Sequence, residues 1–142
     1  MPGTPPTRRT VLRGAALAGT AGLGLAACSP GGSGDEATSA PTAPVDLGKA
    51  DEVPVGGAKL YTDENVVVSR PSADKYAAFS TICTHRQCPI TMLEGTELTC
   101  SCHGSKFDAT TGKVLHDPAT VPLTKLPVEV KNGKIVAGPG AA

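Results

Sequence analysis

Between Cys83 and Phe107 lie four of the chain's five cysteines and two of its three histidines. They form two clusters, Cys83-Thr84-His85-Arg86-Gln87-Cys88-Pro89 and Cys100-Ser101-Cys102-His103-Gly104-Ser105-Lys106-Phe107. Thiolate and imidazole are the side chains that bind borderline-soft metals, and two short Cys-and-His loops a few residues apart have metal-ligand spacing. Taken alone, Cys-x-His followed by Cys-x-x-His fits a tetrahedral zinc site with two sulfur and two nitrogen ligands. Cys88 and Cys102 exceed what such a site needs, yet each sits beside a ligand loop.

The arrangement resembles the Rieske iron–sulfur proteins, whose motif pairs a Cys-x-His-x-Gly-Cys loop with a Cys-x-Cys-His-Gly-Ser loop. Carried over by position, the resemblance implies one [2Fe–2S] cluster, with Cys83 and Cys100 on one iron and His85 and His103 on the other. It also implies a Cys88–Cys102 disulfide. That bridge marks the high-potential class, the iron–sulfur subunits of cytochrome bc and bf complexes; ferredoxins that feed ring-oxygenating enzymes generally lack it. Two ferric irons, two sulfides and two thiolates sum to zero charge, two units less negative than an all-cysteine cluster, so an added electron is less costly. Rieske centres as a class span about −150 to +300 mV, a property of the class and not a derivation from these residues.

Further positions follow from the same resemblance. Ser105 stands where a hydroxyl hydrogen-bonds a bridging sulfide, the alternative being an ordinary loop serine. Phe107 stands where high-potential members commonly carry a tyrosine that donates to a ligand sulfur. Gln87 replaces the usual glycine and Ser101 the common proline. Asp117-Pro118-Ala119-Thr120 falls where the family has a Gly-Pro-rich loop over the cluster, although a simple turn accounts for it equally well. His116 reads as a surface strand residue.

These loops need a scaffold, and the scaffold is small. The chain has 142 residues, no tryptophan, two tyrosines and two phenylalanines, so a core of this size would gain from a cross-link or a bound metal. From Val45 onward short apolar runs are broken by turn signals. Glu52 to Val55, Lys59 to Tyr61, Asn65 to Ser69, Lys75 to Ser80, Lys113 to His116, Val128 to Lys131 and Lys134 to Ala137 read as strands. Arg70 to Asp74 reads as a turn-rich connector, and Asn132-Gly133 is a two-residue hairpin signal. No stretch of this region has a convincing helical period, which predicts an all-β sandwich or barrel of about eight short strands. The resemblance predicts an antiparallel Rieske-type version, with a cluster-binding subdomain of two loops.

The N-terminal third does not read as foldable. Arg8 and Arg9 precede an apolar run from Gly14 to Ala27, in the manner of a twin-arginine export signal. The run falls short of the about 20 apolar residues that a spanning helix needs, although an uncleaved signal anchor is the alternative. Leu25-Ala26-Ala27-Cys28 resembles a lipobox, which makes Cys28 a lipidation site; a stray cysteine after a signal peptide is the other reading. Residues 29–44, small and polar, read as a flexible tether. The expected division is therefore 1–27 signal, 28–44 lipidated cysteine and linker, and 45–142 Rieske domain.

Formal net charge is zero, and loss of Arg8, Arg9 and Arg13 with the signal would leave thirteen acidic against ten basic side chains. Nothing in that balance points to nucleic acid. The expected function is one-electron carriage outside the cytoplasmic membrane, by a carrier and not an enzyme acting alone. Expected partners are a cytochrome b or c or another exported oxidoreductase, with quinol as a hydrogen donor and the membrane surface reached through the lipid. A structural zinc domain is the alternative from another class.

Overall fold

The computed structural model describes residues 39–141; the arginine pair, the apolar run, Cys28 and most of the expected tether lie outside the described residues. None of the described residues forms a helix long and apolar enough to cross a membrane.

The strands are β1 (Val45–Lys49), β2 (Gly57–Tyr61), β3 (Val66–Ser72), β4 (Lys75–Ser80), β5 (Met92–Glu94), β6 (Glu97–Thr99), β7 (Lys106–Asp108), β8 (Val114–His116), β9 (Lys125–Leu126), β10 (Val128–Lys131) and β11 (Lys134–Ala137). They form three antiparallel sheets, in the orders β1-β11-β10, β2-β3-β4-β9 and β5-β6-β7-β8. The third sheet is inserted between β4 and β9, and it carries the Cys-and-His loops. The fold is thus all-β and antiparallel, as expected.

The middle sheet holds two cores apart. Strand side chains alternate between faces, and Val66, Val67, Val68 and Ser69 are all buried, which marks β3 as covered on both sides. Val66, Val68 and Ala78 pack with Leu47, Val53, Tyr61, Leu126, Ile135 and Ala137 on one face. Val67 and Phe79 face the other way, into a core with Ile90, Leu98, Phe107, Ala119, Leu123, Cys83 and Cys100. The two free thiols are therefore part of the second core, and fixing them fixes the loops.

Several expected boundaries move. Glu52–Val55 is not a strand: Ala50–Glu52 makes one 3-10 turn, and Pro54 has no N–H to give a ladder. The first strand lies earlier, at Val45–Lys49, where Gly48 at φ 89 breaks the register and its N–H donates to Asp46 Oδ1 at 2.9 Å. β3 runs on through Pro71, because the register shift between Ser69 and Ser72 keeps the proline out of the paired positions. Four very short strands that were not expected, β5 to β7 and β9, bring the count to eleven among the described residues. The Asn132-Gly133 hairpin is present, with φ 51 and 74, both in the left-handed range that a tight two-residue turn demands.

The last six residues of the expected tether pack on the domain. Asn65, buried and at φ 53, donates from Nδ2 to the Ser39 carbonyl at 3.1 Å. Ala43 O passes so close to Gly138 that a Cβ there would lie 2.6 Å from it.

Candidate metal centre

Residues 81–91 join β4 to β5, residues 100–105 join β6 to β7, and residues 117–124 join β8 to β9. The first two loops share one backbone design. In the first, Cys83 N–H donates to Cys88 O at 2.9 Å and Gln87 N–H to Cys83 O at 2.8 Å. In the second, Cys100 N–H donates to Ser105 O and Gly104 N–H to Cys100 O, both at 2.8 Å. The fifth residue of each loop is left-handed, Gln87 at φ 51 and Gly104 at φ 82. The glutamine that departs from the motif thus still adopts the conformation that favours glycine. Each loop is a tight turn that points its leading cysteine into the core and lifts its histidine outward.

Cys83 and Cys100 are fully buried and unbonded, whereas Cys88 and Cys102 are joined to each other. The Cys88, Cys100 and Cys102 sulfurs lie within 4.8 Å of one another. Two of these three are spent in the bridge, so the set is not a three-ligand site. Burial pushes the Cys100 thiol up; backbone N–H groups of Cys102 and His103 on its sulfur oppose the shift, and the neighbouring Cys83 thiol adds to it. A metal that replaces the protons would keep those N–H donors and remove the reason for the raised value.

The rings of His85 and His103 stand edge to face, with centroids 4.8 Å apart. Nδ1 of His85 is buried with no hydrogen-bond partner, while His103 is exposed. A buried, unpartnered imidazole nitrogen beside two buried unbonded thiols is costly without a ligand. The four side chains fit a group that takes two thiolates and two imidazoles.

The third loop covers this place. Its Ala119 is buried, and its N–H donates to the Ser105 hydroxyl oxygen at 3.0 Å. That contact uses an acceptor lone pair of Ser105 and leaves its proton to donate elsewhere. Thr84, between the first loop's cysteine and histidine, donates from Oγ1 to Val121 O at 2.6 Å. Asp117-Pro118 is therefore more than a turn, since the segment it begins packs into the core beside the two thiols. Nothing in the sequence marks Thr84, which has no distinctive spacing, and Ala119, within the loop the resemblance placed over the cluster, acts through its backbone. Phe107 is wholly buried in the same core. His116 is an exposed strand residue, with Nδ1 2.7 Å from Asp117 O.

Residues 43–127 match the family described as Rieske [2Fe-2S] domain. The cytochrome b6-f complex iron-sulfur subunit of Chlorobaculum tepidum is 36% identical over 93 residues, covering 63% of this chain and 50% of that protein. The chain thus spans half the length of that relative. The ferredoxin component of a 2,4-dinitrotoluene dioxygenase system from Burkholderia is 31% identical over 96 residues, 65% of this chain and 91% of the ferredoxin. Among solved structures, the cyanobacterial plasma membrane Rieske protein from Synechocystis superposes with a TM-score of 0.52 at 28% identity, covering 66% of this chain and 97% of that one.

Proposed function

Because this chain belongs to the Rieske [2Fe-2S] family, we propose that it is an exported electron carrier of the high-potential kind, held at a membrane surface by a lipid on Cys28. The cofactor of the family is one [2Fe-2S] cluster, which takes up and gives back single electrons and displaces the zinc alternative. In this reading Cys83 and Cys100 hold one iron, and His85 and His103 the other.

The chain's own residues divide the work by depth. Cys83 and Cys100 sit in the second core, shielded from water, with backbone N–H groups on the Cys100 sulfur that stabilise added negative charge. Ser105 spends its acceptor on Ala119 and keeps a proton to give. His103 is the exposed edge, so electrons leave and partners approach from the histidine side, and its solvent-facing ring nitrogen is where a proton from a quinol would be held.

The Cys88–Cys102 bond carries this reading. Such bonds persist in oxidising compartments, which supports location outside the cytoplasmic membrane and membership of the class the bridge marks. The partner is then a cytochrome b or c or another exported oxidoreductase. A soluble ferredoxin feeding an oxygenase is the second reading, favoured by the match over nearly the whole Burkholderia ferredoxin.

Fractionation of cells that express the full chain tests the choice. The red-brown protein is expected in the membrane fraction, with diacylated Cys28 as its N-terminus by mass spectrometry, and Cys28→Ala is expected to release it with its cluster intact. Recovery in the cytoplasm with Cys88 and Cys102 as free thiols would support the ferredoxin reading instead.

A further inference from the structure

Of residues 117–124, which form the third loop, Ala119 and Leu123 are the buried ones, and both lie in the core that holds Cys83 and Cys100. Each has its own receptor. Ala119 N–H donates to Ser105 Oγ at 3.0 Å, beside the ligand loops. Leu123 N–H donates to Gly112 O at 2.8 Å, in the turn between β7 and β8. The bonds from Thr84 Oγ1 to Val121 O and from Ser80 N–H to Thr124 O fix exposed residues on either side of Leu123 and do not replace its seat.

Two features fit the turn to this task. Gly112 has φ 74, and a Cβ there would lie 2.6 Å from Phe79 Cε1 and 3.3 Å from Leu123 O. A residue without a side chain is therefore what lets the backbone lie on the buried Phe79 ring while its carbonyl reaches Leu123. Asp108 shapes the turn from its other end. Oδ1 accepts the Thr110 N–H at 2.8 Å and Thr110 Oγ1 at 2.7 Å, and Oδ2 accepts Thr111 Oγ1 at 2.8 Å. Gly112 N–H returns to Asp108 O at 2.7 Å and closes the turn. Burial would push the Asp108 carboxyl up, but the hydrogen bonds from Thr110 and Thr111 outweigh it and hold the group below the usual carboxylate range, so it is ionised at neutral pH. Joining β7 to β8 needs no more than a tight hairpin turn, whereas the longer segment 109–113 carries a carbonyl across to the third loop.

We propose that Asp108 and Gly112 are positioning residues for the redox site: the turn they build seats Leu123, and the loop so seated keeps water from the buried thiols of Cys83 and Cys100. The proposal rests on the ligand set inferred above. Both residues act through the third loop, along a line that runs from the Asp108 carboxylate to the Gly112 carbonyl and then to Leu123.

The test uses holoprotein of the wild-type chain, Gly112→Ala, Asp108→Ala and Asp108→Asn. Hydrogen exchange read by mass spectrometry on a peptide spanning 117–124 reports the seating of the loop, with a peptide spanning 128–137, from the other core, as reference. Deuteron modulation of the reduced cluster's spin echo in D2O reports how near water comes. Gly112→Ala and Asp108→Ala should each speed exchange in 117–124 several-fold relative to the reference and deepen the modulation. Asp108→Asn keeps the Oδ1 acceptor for Thr110 and should stay close to wild type. Equal speeding of both peptides with unchanged modulation is what a turn that only closes the hairpin would give; that result, or no change in either readout, would overturn the proposal. Should an alanine variant take up no cluster, Thr110→Val, which removes one hydroxyl from Oδ1, is read against the same two outcomes with a smaller change. A wild-type chain without a [2Fe-2S] spectrum would count against the ligand set instead, so the two failures are distinguishable.

Discussion

Gln87 shows how a single position can depart from a motif and keep its geometry. Its φ of 51 matches the role of Gly104 in the other loop. The left-handed region costs a residue with a Cβ about 1–2 kcal/mol, and the extra unfolded-state freedom of glycine offsets about 0.5–1 kcal/mol of any relief. Gln87→Gly should therefore raise stability by up to about 1 kcal/mol, whereas Gly104→Ala should lower it by about as much. A Cβ at Gly104 meets nothing within 4 Å, so backbone strain alone is at issue there. The temperature at which the cluster's colour is lost reads both changes, and shifts of the same sign would contradict the shared design. Ser105 is the other informative residue. The resemblance makes its hydroxyl a donor to sulfide, whereas its acceptance of the Ala119 N–H has no mark in the sequence, because a loop further along the chain supplies that partner. Ser105→Ala leaves the buried N–H unpaired, at a cost of about 1–3 kcal/mol. It should lower both the melting temperature and the midpoint potential; a potential unchanged in a redox titration would confine the serine to a structural role.

At the scale of elements, strands with alternating or β-branched runs were legible and strands defined by pairing alone were not. β3, β4, β10 and β11 carry their own signal. β5, β6 and β7 are three residues each and exist because they pair with one another, and β1 is masked by the bulge at Gly48. The inserted sheet is thus the part least able to hold itself by local preference. The Cys88–Cys102 bond joins its two exposed loops at a sequence separation of 14. A closed loop of about 15 residues is worth about 3 kcal/mol by chain entropy. Replacing both cysteines by serine should permit cluster assembly but give a cluster lost sooner on warming. Differential scanning of wild-type and variant holoprotein decides the matter: equal heat resistance would mean that burial of Cys83 and Cys100 in the second core holds the loops unaided.

For the whole molecule, the all-β fold class was legible because short apolar runs broken by turn signals, with no helical period, leave few other architectures. The attachment of Ser39 to Asn65 was not, since a side-chain bond to a distant backbone carbonyl leaves no pattern in composition or period. Two cores share one middle sheet, and Cys83 and Cys100 are buried in the second, so the proposed ligand set ties electron transfer to the same thiols that pack the core. The central claim is that a cluster spans Cys83, Cys100, His85 and His103. Iron analysis with electron paramagnetic resonance and a redox titration, on the wild-type chain and on Cys83→Ser, His85→Ala, Cys100→Ser and His103→Ala, tests it most directly. The account predicts two irons per wild-type chain and a one-electron midpoint within about −150 to +300 mV, with loss of the native spectrum in every variant. Two irons and an unchanged spectrum in any one of the four variants would contradict it.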